Sequence, residues 1–192
     1  MDLKTVKTVN GLAGKNRSLD IFMALTAQYG HLVFVLYGVL MWFRGGQPEE
    51  IRTRRKSLVM ILLEVVGCSL ASWTAGKLWR RQRPFLKDSR IWNFTGHRAN
   101  SSFPSSHTAN GTVIALQLLR DHLTAAGPLA AWSAVLAFSR LFAGVHYPSD
   151  LIGGAAFAGI VHAAANKSSA AGKLASAAVF LWTAAENLVR RK

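Results

Sequence analysis

The stretch Phe103-Pro104-Ser105-Ser106-His107-Thr108 reads as the start of a buried helix. Pro104 has no N–H and a preset φ, which suits the first helical position. The N–H groups of Ser105, Ser106 and His107 then precede the intrahelical ladder and find no partner within it. Free N–H groups at the positive end of a helix dipole form a ready anion site. Ser105 adds a hydroxyl donor and His107 a transferable proton. An ordinary capped helix with an isolated histidine fits the same six residues, since Ser and Pro begin many helices. The rest of the chain chooses between the two.

Apolar runs flank this stretch on both sides. Of 192 residues 51% are hydrophobic, yet the formal net charge is +14. Those facts conflict in a soluble globule and agree in a membrane protein with basic ends. The basic residues cluster between apolar runs, with no zinc spacing and no basic heptads, so nucleic acid is not an expected partner. Cys68 is the one cysteine, which excludes an intrachain disulfide. A basic start before an apolar run has the outline of a signal peptide. That run continues to Phe43 without a small-residue cleavage site and reads as mature chain. No repeat and no low-complexity linker divides residues 1–192, which read as a single membrane-embedded domain.

Upstream, residues 76–103 form a long basic loop with Trp79, Phe85, Trp92 and Phe94. Interleaved Arg and Trp also suit single-stranded nucleic acid. Beside apolar runs the aromatics rather mark a headgroup belt. Leu58–Ala75 is a span of 18 residues, at the short end of the roughly 17–25 that cross a bilayer. Its Glu64 lies deep in the apolar run, and a structural partner inside a helix bundle is expected for it. Residues 44–56 read as a short polar loop with Arg44, Arg52, Arg54, Arg55 and Lys56. His31–Phe43 is apolar, with His31 as a polar interfacial residue at its edge. Leu19–Tyr29 has apolar residues at roughly helical spacing, as an interfacial helix or the first half of a span.

Downstream, Pro104–Leu119 is the next helix, Pro128–Val145 a span and Pro148–Ala165 another. Gly153, Gly154, Ala155, Ala156, Ala158 and Gly159 let helix backbones approach closely in lipid. Leu174–Leu188 is short and holds Glu186 and Asn187, which favours an amphipathic surface helix over a sixth span. The expected fold class is all-α: a polytopic membrane helix bundle of five or six spans with its site at one membrane face.

Three stretches place cationic or imidazole side chains where an apolar run meets a loop. In Lys77-Leu78-Trp79-Arg80-Arg81-Gln82-Arg83-Pro84, Pro84 disfavours helix at Arg83 and fixes its guanidinium at the membrane face. The Pro104 helix start is the second. The third is Ser139-Arg140, five residues, then His146-Tyr147-Pro148-Ser149-Asp150. Pro148 suits a first helical turn and holds Tyr147 extended, so His146 sits just outside a helix that carries Asp150. The carboxylate can reach one imidazole nitrogen, setting the tautomer and leaving the other lone pair free to attack. Arg140 can add a forked, always-charged donor for phosphate oxygens. A helix-start hydrogen bond without chemistry would use His146 and Asp150 equally well.

In this order the residues resemble the type-2 phosphatidic acid phosphatase superfamily, which includes vanadium haloperoxidases. Its pattern is K-x6-R-P, then P-S-x-H, then S-R-x5-H-x3-D. Here stand Arg83-Pro84, Pro104-Ser105-Ser106-His107 and Ser139-Arg140…His146…Asp150, the last two motifs matching in full. The motifs cover residues 77–150; the flanking spans match in hydropathy alone. The family lysine would fall at Gly76, and Lys77 is displaced by one. That role passes to Lys77, is absent, or is taken by Arg80 or Arg81. Such loss resembles the undecaprenyl-diphosphatase branch. So do Ser18-Leu19-Asp20…Thr26…Tyr29-Gly30, Arg83-Pro84-Phe85 and Ser102-Phe103-Pro104, although Ser106 stands where that branch is often acidic.

The resemblance implies a metal-independent lipid phosphatase or diphosphatase that hydrolyses undecaprenyl diphosphate to undecaprenyl phosphate and phosphate. It makes His146 the nucleophile of a phosphohistidine step, Asp150 its orienting partner and His107 the acid and base. Arg83, Arg140, Ser105, Ser106 and, where it reaches, Lys77 would bind the phosphoryl oxygens. No cofactor is implied. Of nine acidic residues only Asp88 and Asp150 are expected near this site, whereas a two-metal centre needs several converging carboxylates. A phosphatidate or phosphatidylglycerophosphate phosphatase is the nearest alternative. A haloperoxidase would keep the same anion pocket, but a small chain of spans opposes it. A basic membrane transporter or scaffold, in which the histidine pair would be idle, is the non-enzymatic alternative.

Spans at 20–43, 57–77, 104–120, 128–146 and 148–165 put all three motifs on one face. The cations of that face have a second explanation as phosphate or headgroup ligands, while those of 44–56 have none. The positive-inside rule then places 44–56 in the cytoplasm and the site on the outer face of a bacterial plasma membrane. With the C-terminal helix on the surface, Arg190, Arg191 and Lys192 add to the cytoplasmic side.

Overall fold

The computed structural model describes residues 2–190, so Arg191 and Lys192 lie outside the described residues. Nine helices and no strand occur among the described residues. They are α1 (Asp2–Asn10), α2 (Arg17–Tyr29), α3 (Leu32–Phe43), α4 (Pro48–Trp79), α5 (Pro84–Lys87), α6 (Ser106–Arg120), α7 (Ala126–Phe142), α8 (Pro148–Lys167) and α9 (Ser169–Arg190).

The longest element, α4, starts with Pro48 in its first turn, and Glu50 reaches back to accept the Gln47 N–H at 3.3 Å. Its 32 residues extend about 48 Å at 1.5 Å per residue, more than a bilayer's hydrocarbon core of roughly 30 Å. It is long and apolar enough to cross a membrane. The α2–α3 pair passes the same test jointly but bends by 59° at its break, so 20–43 is not one straight span. Gly30 sits at that bend, where a Cβ would lie 2.5 Å from the Thr26 carbonyl oxygen. On α4, Leu62, Val66, Leu70 and Trp73 recur at three- and four-residue steps and are exposed, as are Ile152 and Ile160 on α8. An apolar exterior on a helix bundle suits lipid contact.

Two boundaries differ from expectation. Residues 48–56 are the first turns of α4, not a polar loop. Arg54 donates to the Met41 and Arg44 carbonyls, Arg55 to that of Trp42 and, as a fork, to Glu186 at 2.7 and 2.9 Å. The end of α3 thus absorbs cations that had suggested solvent. Pro104 precedes α6 instead of opening it. Ser105 is the N-cap, because its Oγ accepts the Thr108 N–H.

Helix α6 lies at the centre, against α4, α7 and α8, with Ala109, Val113 and Leu118 fully buried. Gly154 and Ala158 of α8 are buried against it, and Gly153 faces Phe103 just before it. A Cβ on Gly154 would stand 2.6 Å from the Ser105 carbonyl oxygen, and one on Gly153 2.4 Å from the Phe103 ring. This close crossing brings the two helix starts together, and the Ser105 N–H donates to the Asp150 carbonyl at 3.0 Å. Glu64 finds its partners across the bundle in His162 and Asn166, at 3.0 and 2.8 Å. The last helix has 22 residues and lays Ala175 and Val179 against its neighbours α4 and α8.

Candidate active site

The turn before α5, the start of α6, the end of α7 and the start of α8 meet at one end of the bundle. Arg140, in the last turn of α7, is 2% exposed. Its Nη1 donates to the Ala27 carbonyl at 2.6 Å, while Nε and Nη2 are buried without a partner. Unpaired buried donors are costly, and an anion is the ligand that satisfies them.

Arg83 caps α5 in an extended conformation. Asn100 Oδ1 accepts from its Nε and Nη2 at 3.0 and 2.7 Å, and the Ser101 carbonyl from Nη2 at 2.9 Å. Nη1 donates to the Val145 carbonyl at 2.8 Å and lies 3.3 Å from His146 Nε2. A guanidinium only donates, so Nε2 is the acceptor and Nδ1 carries the proton. That Nδ1 stands 3.5 Å from Asp150 Oδ2, beyond a strong hydrogen bond. Burial, with Arg83 and Arg140 nearby, outweighs Asp150 and lowers the His146 pKa to about 4. The imidazole is therefore neutral at pH 7.

Asp150 is wholly buried. Its Oδ2 accepts the Tyr147 N–H at 2.8 Å, and its Oδ1 accepts from Arg81 Nη1 at 2.7 Å. Tyr147 is extended (φ −84°, ψ 157°) and Pro148 opens α8, as the spacing predicts.

Ser105 Oγ accepts from the N–H and the hydroxyl of Thr108 at 3.4 and 3.0 Å, which leaves its own hydrogen to donate. The Ser105 N–H is spent on Asp150, so only Ser106 and His107 keep first-turn N–H groups for an anion. The His107 ring meets His31 edge-on, with centroids 5.8 Å apart. His31, read from sequence as merely interfacial, thus borders the site. His97 faces His146 at 6.5 Å, and burial followed by Arg83 lowers its pKa to about 4.

Lys77 is not brought to this group. Its Nζ lies 4.4 Å over the Trp73 ring. Gly76, where the family lysine would fall, faces inward, and a Cβ there would stand 3.5 Å from the Phe103 carbonyl oxygen. Asn100, Asp2 and His97 escaped the sequence reading, and Arg81 figured there only as a substitute for the family lysine, because nothing local marks a partner that folding supplies from a distance. Asp2 also corrects the acidic inventory, since it joins Arg81 beside Asp150. Asp88 pairs instead with Arg90 and Lys7, and those two cations hold its carboxyl well below the usual range.

The profile of the PAP2 superfamily matches residues 54–172. The chain belongs to the PAP2 superfamily. The matched segment carries Arg83, Ser105, His107, Arg140, His146 and Asp150. YbjG of Escherichia coli, named as a candidate undecaprenyl-diphosphatase, is 36% identical over 126 residues, or 64% of this chain and 59% of that protein. The undecaprenyl-diphosphatase BcrC of Bacillus subtilis is 26% identical over 153 residues, or 80% of this chain and 76% of that protein. The crystal structure of Aquifex aeolicus LpxE shares the fold of this PAP2 chain, with a TM-score of 0.68. It is 22% identical, covering 87% of this chain and 95% of LpxE.

Proposed function

We propose that this PAP2 chain is a metal-independent lipid pyrophosphatase converting undecaprenyl diphosphate to undecaprenyl phosphate and inorganic phosphate. One observation carries the reading: Arg140 offers two buried, unpaired guanidinium nitrogens close to a neutral His146 whose Nε2 is unprotonated and faces Arg83. A terminal phosphoryl group supplies the oxygens that such donors lack. The names of YbjG and BcrC support the substrate class.

In the first step His146 Nε2 bonds to the terminal phosphorus, and the P–O bond to the lipid-bearing phosphate breaks. His107 enters this step protonated, its imidazolium favoured by the negative charge of the bound pyrophosphate, and gives that proton to the departing oxygen. In the second step water attacks the phosphohistidine, the N–P bond returns its pair to Nε2, and His107 takes the water proton. Asp150 keeps the proton on Nδ1 and balances the charge that builds on the ring. Arg83, Arg140, the Ser105 hydroxyl and the N–H groups of Ser106 and His107 hold the phosphoryl oxygens. Phosphoryl transfer depends mainly on such positioning and charge stabilisation.

The exposed apolar faces of α4 and α8 support a bilayer setting, in our reading a bacterial plasma membrane crossed by five or six spans. The test is phosphate release by purified protein from prenyl diphosphates, phosphatidate and phosphatidylglycerophosphate. Prenyl diphosphate should be fastest. A preference for either phospholipid would overturn the substrate, and no release from any would overturn the activity.

A further inference from the structure

We propose that Arg81 is a positioning residue that clamps Asp150 against His146, and that Asp2 of α1 sets the strength of the clamp. This rests on the roles of His146 and Asp150 proposed above. From sequence Arg81 looks like one more phosphate ligand, or the substitute for the displaced lysine. Its geometry points elsewhere. Nη1 donates to Asp150 Oδ1 and to Ser149 Oγ, each at 2.7 Å, so both hydrogens of that nitrogen are spent. Nη2 donates to Asp2 Oδ2 at 2.8 Å. The guanidinium carbon lies 4.1 Å over the Tyr147 ring. These contacts tie Arg81 to the 147–150 turn and to α1.

Asp150 needs such a clamp. Its Oδ2 serves the Tyr147 N–H and faces His146 Nδ1, while Arg81 engages Oδ1. The carboxylate is fully buried, and a buried charge that loses its ion partner is destabilised and free to turn. Asp2 holds the other end. It accepts from Arg81, from the Ser149 N–H at 3.2 Å and from the Ser149 hydroxyl. The helix that carries Asp2 is firmly docked. Val6 is wholly buried, and Asn10 donates to the Phe142 and Trp92 carbonyls at 2.8 and 3.0 Å. Charges alternate along Asp2, Arg81 and Asp150, which faces the neutral His146.

The other groups acting on His146 are Arg83 before α5, His97 of the following loop, His107 of α6 and Arg140 of α7. The hydrogen bonds and ion pairs of Arg81 go to none of these four. A change at Arg81 therefore reaches His146 through Asp150.

The experiment compares wild type with Arg81→Gln, Arg81→Lys and Asp2→Asn. Two readouts are used: kcat and KM for a prenyl diphosphate across pH, and the titration of the His146 imidazole by NMR. Arg81→Gln removes a positive charge, so Asp150 acts more strongly on His146 and its protonation moves to higher pH. Asp2→Asn removes the charge that offsets Arg81, so His146 protonation moves to lower pH. Opposite shifts of about half a unit are expected, with kcat down about tenfold in Arg81→Gln, KM within about twofold, and partial recovery in Arg81→Lys. A raised KM at unchanged kcat would make Arg81 a phosphate ligand and overturn the inference. A shift absent in Asp2→Asn, or of the same sign as in Arg81→Gln, would reduce the cluster to scaffolding, and Asp2→Asn alone decides this where Arg81→Gln fails to fold. The NMR titration needs no substrate, so a wild type inactive on prenyl diphosphates would defeat the proposed function and leave this inference separately decided.

Discussion

Arg83 Nη1 lies 3.3 Å from His146 Nε2, and that contact selects the tautomer of the His146 imidazole. Because a guanidinium has no lone pair to give, the ring proton resides on Nδ1, on the side of Asp150. The same guanidinium is braced by Asn100, Ser101 and Val145, so the donor to Nε2 is held from three sides.

Replacing that ring should end catalysis without emptying the anion site. For His146→Ala we expect phosphate release to fall by at least about 10³-fold, while vanadate still binds through Arg83 and Arg140. Turnover near the wild-type rate would remove the nucleophile assignment.

The acid side of the pH profile reports the same ring. Its pKa is lowered to about 4, against roughly 6.5 for a free imidazole. If His146 is the nucleophile proposed above, its Nε2 lone pair persists as pH falls through 6.5 and is lost only near 4. For kcat/KM we expect a plateau at its acid end down to about pH 5, then a tenfold fall per unit below about 4. A descent already centred on pH 6.5 would contradict a buried, neutral His146.

Lys77 and Arg140 should behave differently, because one turns towards Trp73 and the other presents unpaired donors inside the site. Lys77→Ala is expected to leave KM within about twofold, whereas Arg140→Lys should lower kcat/KM by about 10²-fold as the fork is lost. A clear rise of KM in Lys77→Ala would return the family lysine's role to the displaced residue.

How much of this was legible follows from how local each feature is. The His146–Asp150 relationship depends on an extended Tyr147 before a helix-opening Pro148, and both are dictated within five residues. The close α6–α8 crossing was announced by the glycines of α8. Pro104 and Ser105 each can begin a helix, and the choice turned on Ser105 Oγ finding the Thr108 N–H. The cations of 48–56 suggested a loop because their acceptors, the last carbonyls of α3 and Glu186, come from other helices. Asn100, Arg81 and Asp2 are joined across separations that no spacing rule reaches.

Activity should survive a strong chelator. Among the described residues no three His, Cys, Asp or Glu side chains converge as metal ligands, and the proposed mechanism takes its charge stabilisation from Arg83 and Arg140. Phosphate release with and without excess EDTA should agree within about twofold, where loss of a catalytic metal would cost orders of magnitude. Loss on chelation, reversed by magnesium, would contradict this.

Orientation in the membrane depends on where the cations sit. Arg54 and Arg55, which had counted as unexplained loop charges, are satisfied inside the fold. Arg52 and Lys56 near the start of α4, and Lys167 and Lys173 at the α8–α9 junction, are exposed. Antiparallel packing of α4 and α8 puts these at the end opposite the site. At the site end Arg83 and Arg140 are buried, Arg81 is paired with Asp2 and Asp150, and Lys7 and Arg90 share Asp88. Exposed cations also stand at the site end, among them Lys77, Arg80, Lys87 and Arg98, so number alone does not separate the two ends. We propose that the site-end cations serve substrate and headgroup phosphates, and that the positive-inside rule acts through the Gln47 end, with that end in the cytoplasm and the site on the outer face. An outer site suits a carrier lipid whose pyrophosphate is cleaved after its cargo has been delivered outside. Gln47 and Ser89 lie beyond opposite ends of α4, and both are exposed. With Cys68 first replaced, a cysteine at position 89 should react in intact cells with a membrane-impermeant maleimide, and one at position 47 should react only after lysis. Labelling of position 47 in intact cells, with position 89 protected, would put the site in the cytoplasm and turn the substrate question towards phosphatidate and phosphatidylglycerophosphate.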